Sequence, residues 1–120
     1  MRVELSKTFG FESAHFLPHV PADHKCRRVH GHSFRADVRV AGEMNPQTGW
    51  LMDYADIAAA IEPVRLALDH RNLNEVAGLE NPTSEHIARW IWERLAPALP
   101  GLSEIVVRET CTSSCAYRGE

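Results

Sequence analysis

Hydrophobic and polar residues alternate along two separate stretches near the start of the chain. The first stretch, residues 2–17, carries its apolar side chains on odd positions, which are Val3, Leu5, Phe9, Phe11 and Leu17. The second stretch carries them on even positions, which are Phe34, Ala36, Val38 and Val40. Because successive side chains of a strand point to opposite faces, both stretches predict strands with one buried face.

Three histidines share the buried faces of these two strands. His15 has the odd parity of the first strand, and extending the second strand backward places His30 and His32 on its apolar side. Three imidazoles with an open fourth position form a typical catalytic zinc site. The alternative is that they are buried histidines satisfied by hydrogen bonds, because an HxH pair alone is a weak signal.

Two helices are predicted in the second half of the chain. Asp53 is a plausible N-cap of the first helix, and Pro63 is expected to kink or shorten it. Thr83 or Ser84 can cap the second helix, which Pro97 and Pro100 end. The apolar positions of the two helices are Ile57, Ala58, Ile61, Val64, Leu66 and Leu68 in the first, and Ile87, Ile91 and Leu95 in the second.

The end of the chain returns to strand. Ile105 and Val107 share the parity of Glu109, and the final segment CAYRGE can form a short partner strand. The order strand, strand, helix, helix, strand, strand predicts an α+β fold, a four-stranded antiparallel sheet with two helices on one face. Such a sheet leaves edges and one face uncovered, which predicts a homo-oligomer.

The composition argues against several classes of protein, among them nucleic-acid-binding and membrane proteins. The 120 residues, 44% of them hydrophobic and 24% charged, are expected to form one domain spanning residues 1–120. A formal net charge of −3 gives no basic surface for nucleic acid, and no apolar run approaches the ~20 residues of a membrane helix. The start of the chain lacks a signal-peptide pattern, and three cysteines argue against a disulfide framework, so we expect a cytoplasmic protein.

Cys26 precedes the HGH motif and has three readings. It could be a further metal ligand, a reactive thiolate that acts as a base or nucleophile, or an inert buried thiol. Lys25, Arg27 and Arg28 would favour the thiolate. The same three cations could instead clamp an anionic substrate or simply face solvent, and the sequence does not decide between these roles.

Further along the chain, Asp69 and His70 could form a proton-transfer pair in which the carboxylate fixes the imidazole tautomer. The alternative is a histidine at a helix end beside an acid. Glu109 has the parity of the apolar strand face, so it is either a buried anchor for the N–H groups of a ligand or an edge residue in water. Thr83 and Ser84 could contact a ligand as well as cap the helix.

Six segments in order carry a resemblance to a known family. They are FESAHFL, CRRVHGH, LDHRNLN, NPTSEH, VRET and YRGE, and they span essentially the whole chain. In this combination the sequence resembles the 6-pyruvoyltetrahydropterin synthase and 6-carboxytetrahydropterin synthase family. The resemblance implies a tunnelling fold, in which subunits join their sheets into a barrel, commonly as a dimer of trimers with pockets at subunit boundaries.

The resemblance also implies a role for each candidate residue. Cys26 would be the proton-abstracting thiolate beside the metal rather than its fourth ligand, and His70, paired with Asp69, would reach the pocket from a neighbouring subunit. The implied zinc ligands are His15, His30 and His32, and the implied pterin contacts are Thr83, Ser84 and Glu109.

The spacing between the cysteine and the HGH motif separates the branches of this family. Three residues lie between Cys26 and His30, which favours the carboxy-forming branch of queuosine biosynthesis. The implied substrate is 7,8-dihydroneopterin triphosphate, with Zn²⁺ as the only cofactor. The alternatives are the pyruvoyl-forming reaction, a zinc hydrolase, and a non-catalytic zinc-binding protein with the same fold.

Overall fold

The computed structural model describes residues 1–120, which form one four-stranded antiparallel sheet and two α-helices. The strands lie side by side in chain order. They are β1 (Arg2–His15), β2 (His30–Glu43), β3 (Leu102–Arg108) and β4 (Cys115–Tyr117), and the helices are α1 (Tyr54–Leu68) and α2 (Ser84–Leu95). Short 3₁₀ turns at Lys25–Arg27 and Leu73–Glu75 complete the regular structure. The predicted architecture is confirmed.

The long hairpin of β1 and β2 has the register that the alternation predicts. Phe11 pairs with Phe34, whose ring stacks on it at a centroid distance of 4.9 Å, and both side chains are buried. The first strand ends at His15 rather than Leu17, because the Leu17 N–H turns away to bond the Cys26 carbonyl oxygen. This hairpin carries the histidines at the end where β1 stops and β2 starts.

Both helices pack their apolar stripes on one face of the sheet. Asp53 caps α1 by accepting the Ala55 N–H, and the helix continues through Pro63 to Leu68, so the predicted shortening is wrong. Apolar residues on both sides of the proline hold the helix on the sheet, and this packing outweighs the lost hydrogen bond. The buried residues of α1 are Ile57, Ile61, Val64 and Leu68.

The second helix fixes the loop beside the histidines. The Thr83 hydroxyl oxygen accepts the His86 N–H at 3.2 Å, so Thr83 is the N-cap and Ser84 is the first helical residue. Ile87, Ile91 and Leu95 are fully buried, as their spacing predicts, and the helix ends before Pro97. This cap sets the position of Pro82, which lies immediately before it.

The opposite face of the sheet carries charges in place of a second apolar layer. Asp37 accepts hydrogen bonds from Thr8 at 2.8 Å and from Arg108 at 2.6 Å, and its side chain is largely buried. Burial alone would raise the pKa of the Asp37 carboxyl, but the hydrogen bonds from Arg108 and Thr8 hold it below its usual value. Neither helix of the protein is long and apolar enough to cross a membrane.

Candidate metal centre and adjoining cavities

Three histidine side chains converge where β1 ends and β2 begins. The antiparallel register places His15 opposite His30, and Ser13 opposite His32, so all three imidazoles project from one face. Their ring centroids lie 4.6–5.2 Å apart, and one ring nitrogen from each lies within 4.8 Å of the other two. The Phe34 ring packs against His15 and His32 and closes the inner side of the cluster.

Backbone carbonyls hold two of these rings in a defined orientation. The Nδ1–H of His15 donates to the Pro82 oxygen at 2.8 Å, and the Nδ1–H of His30 donates to the Arg28 oxygen at 2.7 Å. A carbonyl oxygen only accepts, so in each neutral ring the lone pair lies on Nε2. This backbone support is typical of metal-binding histidines.

The Nε2 atom of His15 is buried and has no hydrogen-bond partner. Burial lowers the pKa of this histidine, although the Pro82 carbonyl and the Glu109 carboxylate act in the opposite direction. The ring is therefore neutral and presents an unshared lone pair beside two further imidazoles. A buried polar atom without a partner is costly, and a metal ion would satisfy it. The three histidines thus fit a metal centre.

Cys26 lies beside this cluster in a cavity of about 500 Å³, here called the histidine cavity. Besides the three histidines, its lining residues are Leu17, Lys25, Cys26, Gly31, Glu109 and Thr110. The thiol is partly exposed and unpaired, so a molecule in the cavity could reach it. The structure therefore brings Cys26 together with the histidines, and it does so through contacts that the sequence pattern does not reveal.

The turn that carries Cys26 is fastened from three sides. The Leu17 N–H donates to the Cys26 oxygen at 2.7 Å, and the Cys26 N–H donates to Nδ1 of His24 at 3.1 Å. Arg27 is not among the residues that line the histidine cavity, and its guanidinium donates to the carbonyl oxygens of Pro18 and Val20 at 2.8 and 3.1 Å. These contacts connect the turn to the segment that follows β1.

Glu109 joins the histidine cavity to a second cavity. Its carboxylate oxygens lie 4.0 Å from Nε2 of His15 and 3.9 Å from Nε2 of His32, and 26% of the side chain is exposed. It also lines a cavity of about 390 Å³ beside the start of α2, here called the Ser84 cavity, together with Ser84, Ser113 and Cys115. Thr83 is not among the residues that line either cavity, because its hydroxyl caps α2.

Asp69 and His70 lie elsewhere, along the edge of β1 that does not pair with β2. The Asp69 carboxylate accepts the backbone N–H of Glu12 at 2.9 Å and lies 2.9 Å from Nδ1 of His70. The backbone N–H of His70 donates to the backbone oxygen of Glu12. The pKa of the Asp69 carboxyl is lowered, mainly by the hydrogen bond from the Glu12 N–H and secondly by the hydrogen bond with His70. His70 has a backbone φ of 54° and a side chain that is 79% exposed, and it is not among the residues that line the histidine cavity.

The structural roles of several contributors to the site were not predicted from the sequence. The Pro82 carbonyl, the His24 side chain and the Arg27 guanidinium each hold a functional segment in position, and Thr110 lines both cavities. A backbone carbonyl carries no signal in its residue type, so Pro82 could not have been found. Thr110 follows Glu109 directly and could have been proposed as its neighbour in a pocket.

The geometry defines an antiparallel α+β protein in which three histidines able to hold a metal ion, a thiol and an acidic residue line adjoining cavities. Comparison with known proteins then places it: the model of the family described as 6-pyruvoyl tetrahydropterin synthase matches residues 4–120. The chain belongs to this family, and the prediction that it is an enzyme is confirmed.

Individual relatives agree with the family. The chain is 49% identical over 117 residues to the 6-carboxy-5,6,7,8-tetrahydropterin synthase of Synechocystis, covering 92% of this chain and 89% of the relative. It is 36% identical to the dihydroneopterin monophosphate aldolase of Pyrococcus furiosus, covering 84% and 82% of the two chains. The solved structure of Caenorhabditis elegans 6-pyruvoyl tetrahydropterin synthase has a TM-score of 0.90 at 25% identity, covering 100% of this chain and 97% of that one. The subunit architecture of the predicted tunnelling fold is thereby confirmed.

Proposed function

We propose that this chain, acting as one domain of residues 1–120, is a zinc-dependent 6-carboxy-5,6,7,8-tetrahydropterin synthase. The reaction converts 7,8-dihydroneopterin triphosphate and water to 6-carboxytetrahydropterin, acetaldehyde and triphosphate, a step of queuosine biosynthesis. The observation that carries the proposal is the placement of Cys26 in one cavity with His15, His30 and His32. The similarity to the Synechocystis synthase over most of both chains supports the choice of reaction.

The three histidines would hold the zinc ion, because all three are imidazoles on one sheet face and two are oriented by carbonyl oxygens. When bound, zinc supplies a Lewis acid that polarises substrate oxygens and makes the adjacent C–H more acidic. A three-ligand site leaves a coordination position for these oxygens. Neutral imidazole at His15 agrees with this role, because a protonated ring could not bind a metal.

Cys26 would remove the proton from the substrate carbon. Cys26 lines the same cavity as the three histidines, and its thiol is partly exposed and free. A side chain that abstracts a proton must lie within reach of the reacting carbon. The hydrogen bonds of Cys26 with Leu17 and His24, and that of Arg27 with Pro18, hold the turn and so fix the position of Cys26.

Asp69 and His70 would serve the active site of a neighbouring subunit. Within one chain His70 projects from the edge of β1 that does not pair with β2 and does not line the histidine cavity. An edge strand presents unpaired backbone groups that can pair with another subunit. We propose that the subunits form a barrel as a dimer of trimers. This assembly would bring Asp69 and His70 to the histidine cavity of a neighbouring subunit. There His70 would deliver or relay a proton while Asp69 fixes its tautomer.

Glu109 would anchor the pterin ring. A carboxylate can accept two parallel N–H bonds from the amino and ring nitrogens, and its place between the two cavities would let the ring lie in the Ser84 cavity while the side chain reaches the histidines. Ser84 would contact the ring directly. Thr83 would act beside it through the helix cap, which holds this wall of the cavity.

Product analysis tests the proposal. The purified protein is incubated without oxygen with 7,8-dihydroneopterin triphosphate, and the products are separated and identified. Acetaldehyde together with a carboxylated tetrahydropterin is the expected result. Absence of any turnover by zinc-loaded, folded protein would favour a non-catalytic zinc-binding protein.

The second candidate is the pyruvoyl-forming reaction, favoured by the TM-score of 0.90 to the worm synthase. It eliminates triphosphate but retains the side chain, so a pyruvoyl product without acetaldehyde would select it. A zinc hydrolase is the third candidate, and it requires no thiol. Full turnover by a Cys26→Ala variant would therefore point to hydrolysis and would contradict the thiolate role.

A further inference from the structure

Three cations, Lys25, Arg27 and Arg28, lie within two residues of Cys26, and each has different surroundings in the structure. Arg27 is committed to protein atoms, since its guanidinium donates to the carbonyl oxygens of Pro18 and Val20. Arg28 is exposed and is not among the residues that line the histidine cavity. Lys25 does line it, beside the three histidines and the thiol. The turn therefore presents one of its three cations to the cavity.

Lys25 has no anionic partner within the chain. Its ammonium group takes part in none of the ion pairs or side-chain hydrogen bonds of the molecule. Lys25 is the only lysine or arginine and Glu109 is the only carboxylate among the residues that line the histidine cavity, and the two are farther apart than an ion-pair distance. The cavity thus has one cationic and one anionic wall that do not neutralise each other.

We propose that Lys25 binds the phosphate-bearing end of the substrate and so determines its orientation, an inference that rests on the proposed function for the identity of that substrate. A lysine ammonium is a compact charge with three donors and binds phosphate oxygens readily. With N–H groups of the substrate at Glu109 and phosphate oxygens at Lys25, the carbon chain between them passes the three histidines and Cys26. Charge at the two walls therefore excludes the reversed orientation.

Two probes test Lys25 separately from the reaction. The first is a pair of oxidised, unreactive pterins, neopterin triphosphate and unphosphorylated neopterin, whose binding is followed by fluorescence. The second is inorganic triphosphate, measured by calorimetry, which requires no pterin recognition. The proteins are wild type, Lys25→Met, Lys25→Arg and the matched control Arg28→Met, and elemental analysis before and after each titration checks that the metal is retained.

The expected result is a loss of about ten- to hundredfold in affinity for neopterin triphosphate and for inorganic triphosphate in Lys25→Met. Affinity for unphosphorylated neopterin should stay within about twofold. Lys25→Arg should retain most of the affinity, because it keeps the charge, and Arg28→Met should resemble wild type.

The outcomes distinguish the two proposals. Equal affinities of Lys25→Met and wild type for both phosphorylated probes would overturn the role of Lys25 and leave the proposed function standing. Binding of inorganic triphosphate that depends on Lys25, without binding of either pterin, would uphold an anion site at Lys25 and contradict the pterin reaction. Equal weakening by Arg28→Met would show general attraction by the loop and would also overturn the specific role.

Discussion

The Nδ1–H of His15 donates a 2.8 Å hydrogen bond to the carbonyl oxygen of Pro82, which comes from the loop before α2. This contact places the lone pair of the buried ring on Nε2, the atom that has no partner in the chain. A loop distant in sequence thus prepares a ring on β1 for a metal. The same loop continues into the Thr83 cap, which precedes Ser84, a residue that lines the Ser84 cavity.

Replacing His15 by alanine should remove the metal. Even the loss of a group that merely orients a ligand costs about 10- to 100-fold in metal affinity, so losing the ligand itself should weaken zinc binding at least as much and lower the zinc content of the purified protein. Elemental analysis of the purified protein measures it. His19→Ala, at an exposed position, is the matched control, and an unchanged metal content in His15→Ala would refute the ligand set.

Replacing Cys26 by alanine should abolish turnover but not metal binding. Proton transfer by a positioned side chain contributes about 10²–10⁴-fold, and kcat should fall by a factor in this range. The comparison is with Cys111→Ala, since Cys111 is exposed and is not among the residues that line the histidine cavity. Zinc content and the circular dichroism spectrum should match wild type, which separates loss of chemistry from loss of fold.

Mixing two inactive variants should restore activity if His70 acts across a subunit boundary. Cys26→Ala and His70→Ala each remove one part of every active site, but a mixed oligomer contains some sites with both parts intact. Refolding the two together at equal concentration should recover roughly a quarter of the wild-type turnover, from random assortment of subunits. No recovery in verified mixed oligomers would place both residues in the same subunit or deny His70 its role.

Arg27 should matter for the position of Cys26 rather than for substrate charge. Arg27→Ala removes the two hydrogen bonds to Pro18 and Val20, and a displaced catalytic group can cost about 10- to 100-fold in rate. We expect lower kcat, nearly unchanged KM, normal zinc content and faster proteolytic cleavage between residues 18 and 24. A rise in KM at constant kcat would instead indicate direct contact with substrate.

Asp37 should contribute to stability at neutral pH and lose this contribution in acid. Its pKa is lower in the folded chain than in the unfolded one, so the stabilisation is complete above the unfolded pKa of about 3.9 and disappears as pH falls through the folded value. Asp37→Asn should lower the free energy of unfolding at pH 7 by roughly 1–3 kcal/mol. Urea unfolding at pH 7 and pH 3 should show this difference shrinking, while Asp23→Asn, in an exposed loop, should show neither effect.

The period of the hydrophobic pattern was sufficient for the sheet and the histidine cluster. Side chains of a strand alternate between two faces, so parity alone put His15, His30 and His32 in one layer, and the register of β1 and β2 brought them together. The role of Asp53 as the N-cap of α1 could also be predicted from the sequence, because capping depends only on residues close in the chain. Pro63 was misjudged, since local propensity was outweighed by packing on the sheet.

Only the tertiary structure decided the contacts that backbone atoms make between distant segments and the side-chain positions that depend on the path of a loop. Cys26 lies beside the histidines because the Leu17 N–H bonds its carbonyl oxygen. The Pro82 carbonyl oxygen orients the His15 ring. Neither contact can be recognised from the residue types involved. The same holds for the three cations around Cys26, which are equivalent in sequence. Only the path of the turn places the Arg27 guanidinium on carbonyl oxygens and Lys25 at the cavity, because side chains two residues apart in a 3₁₀ turn point in different directions.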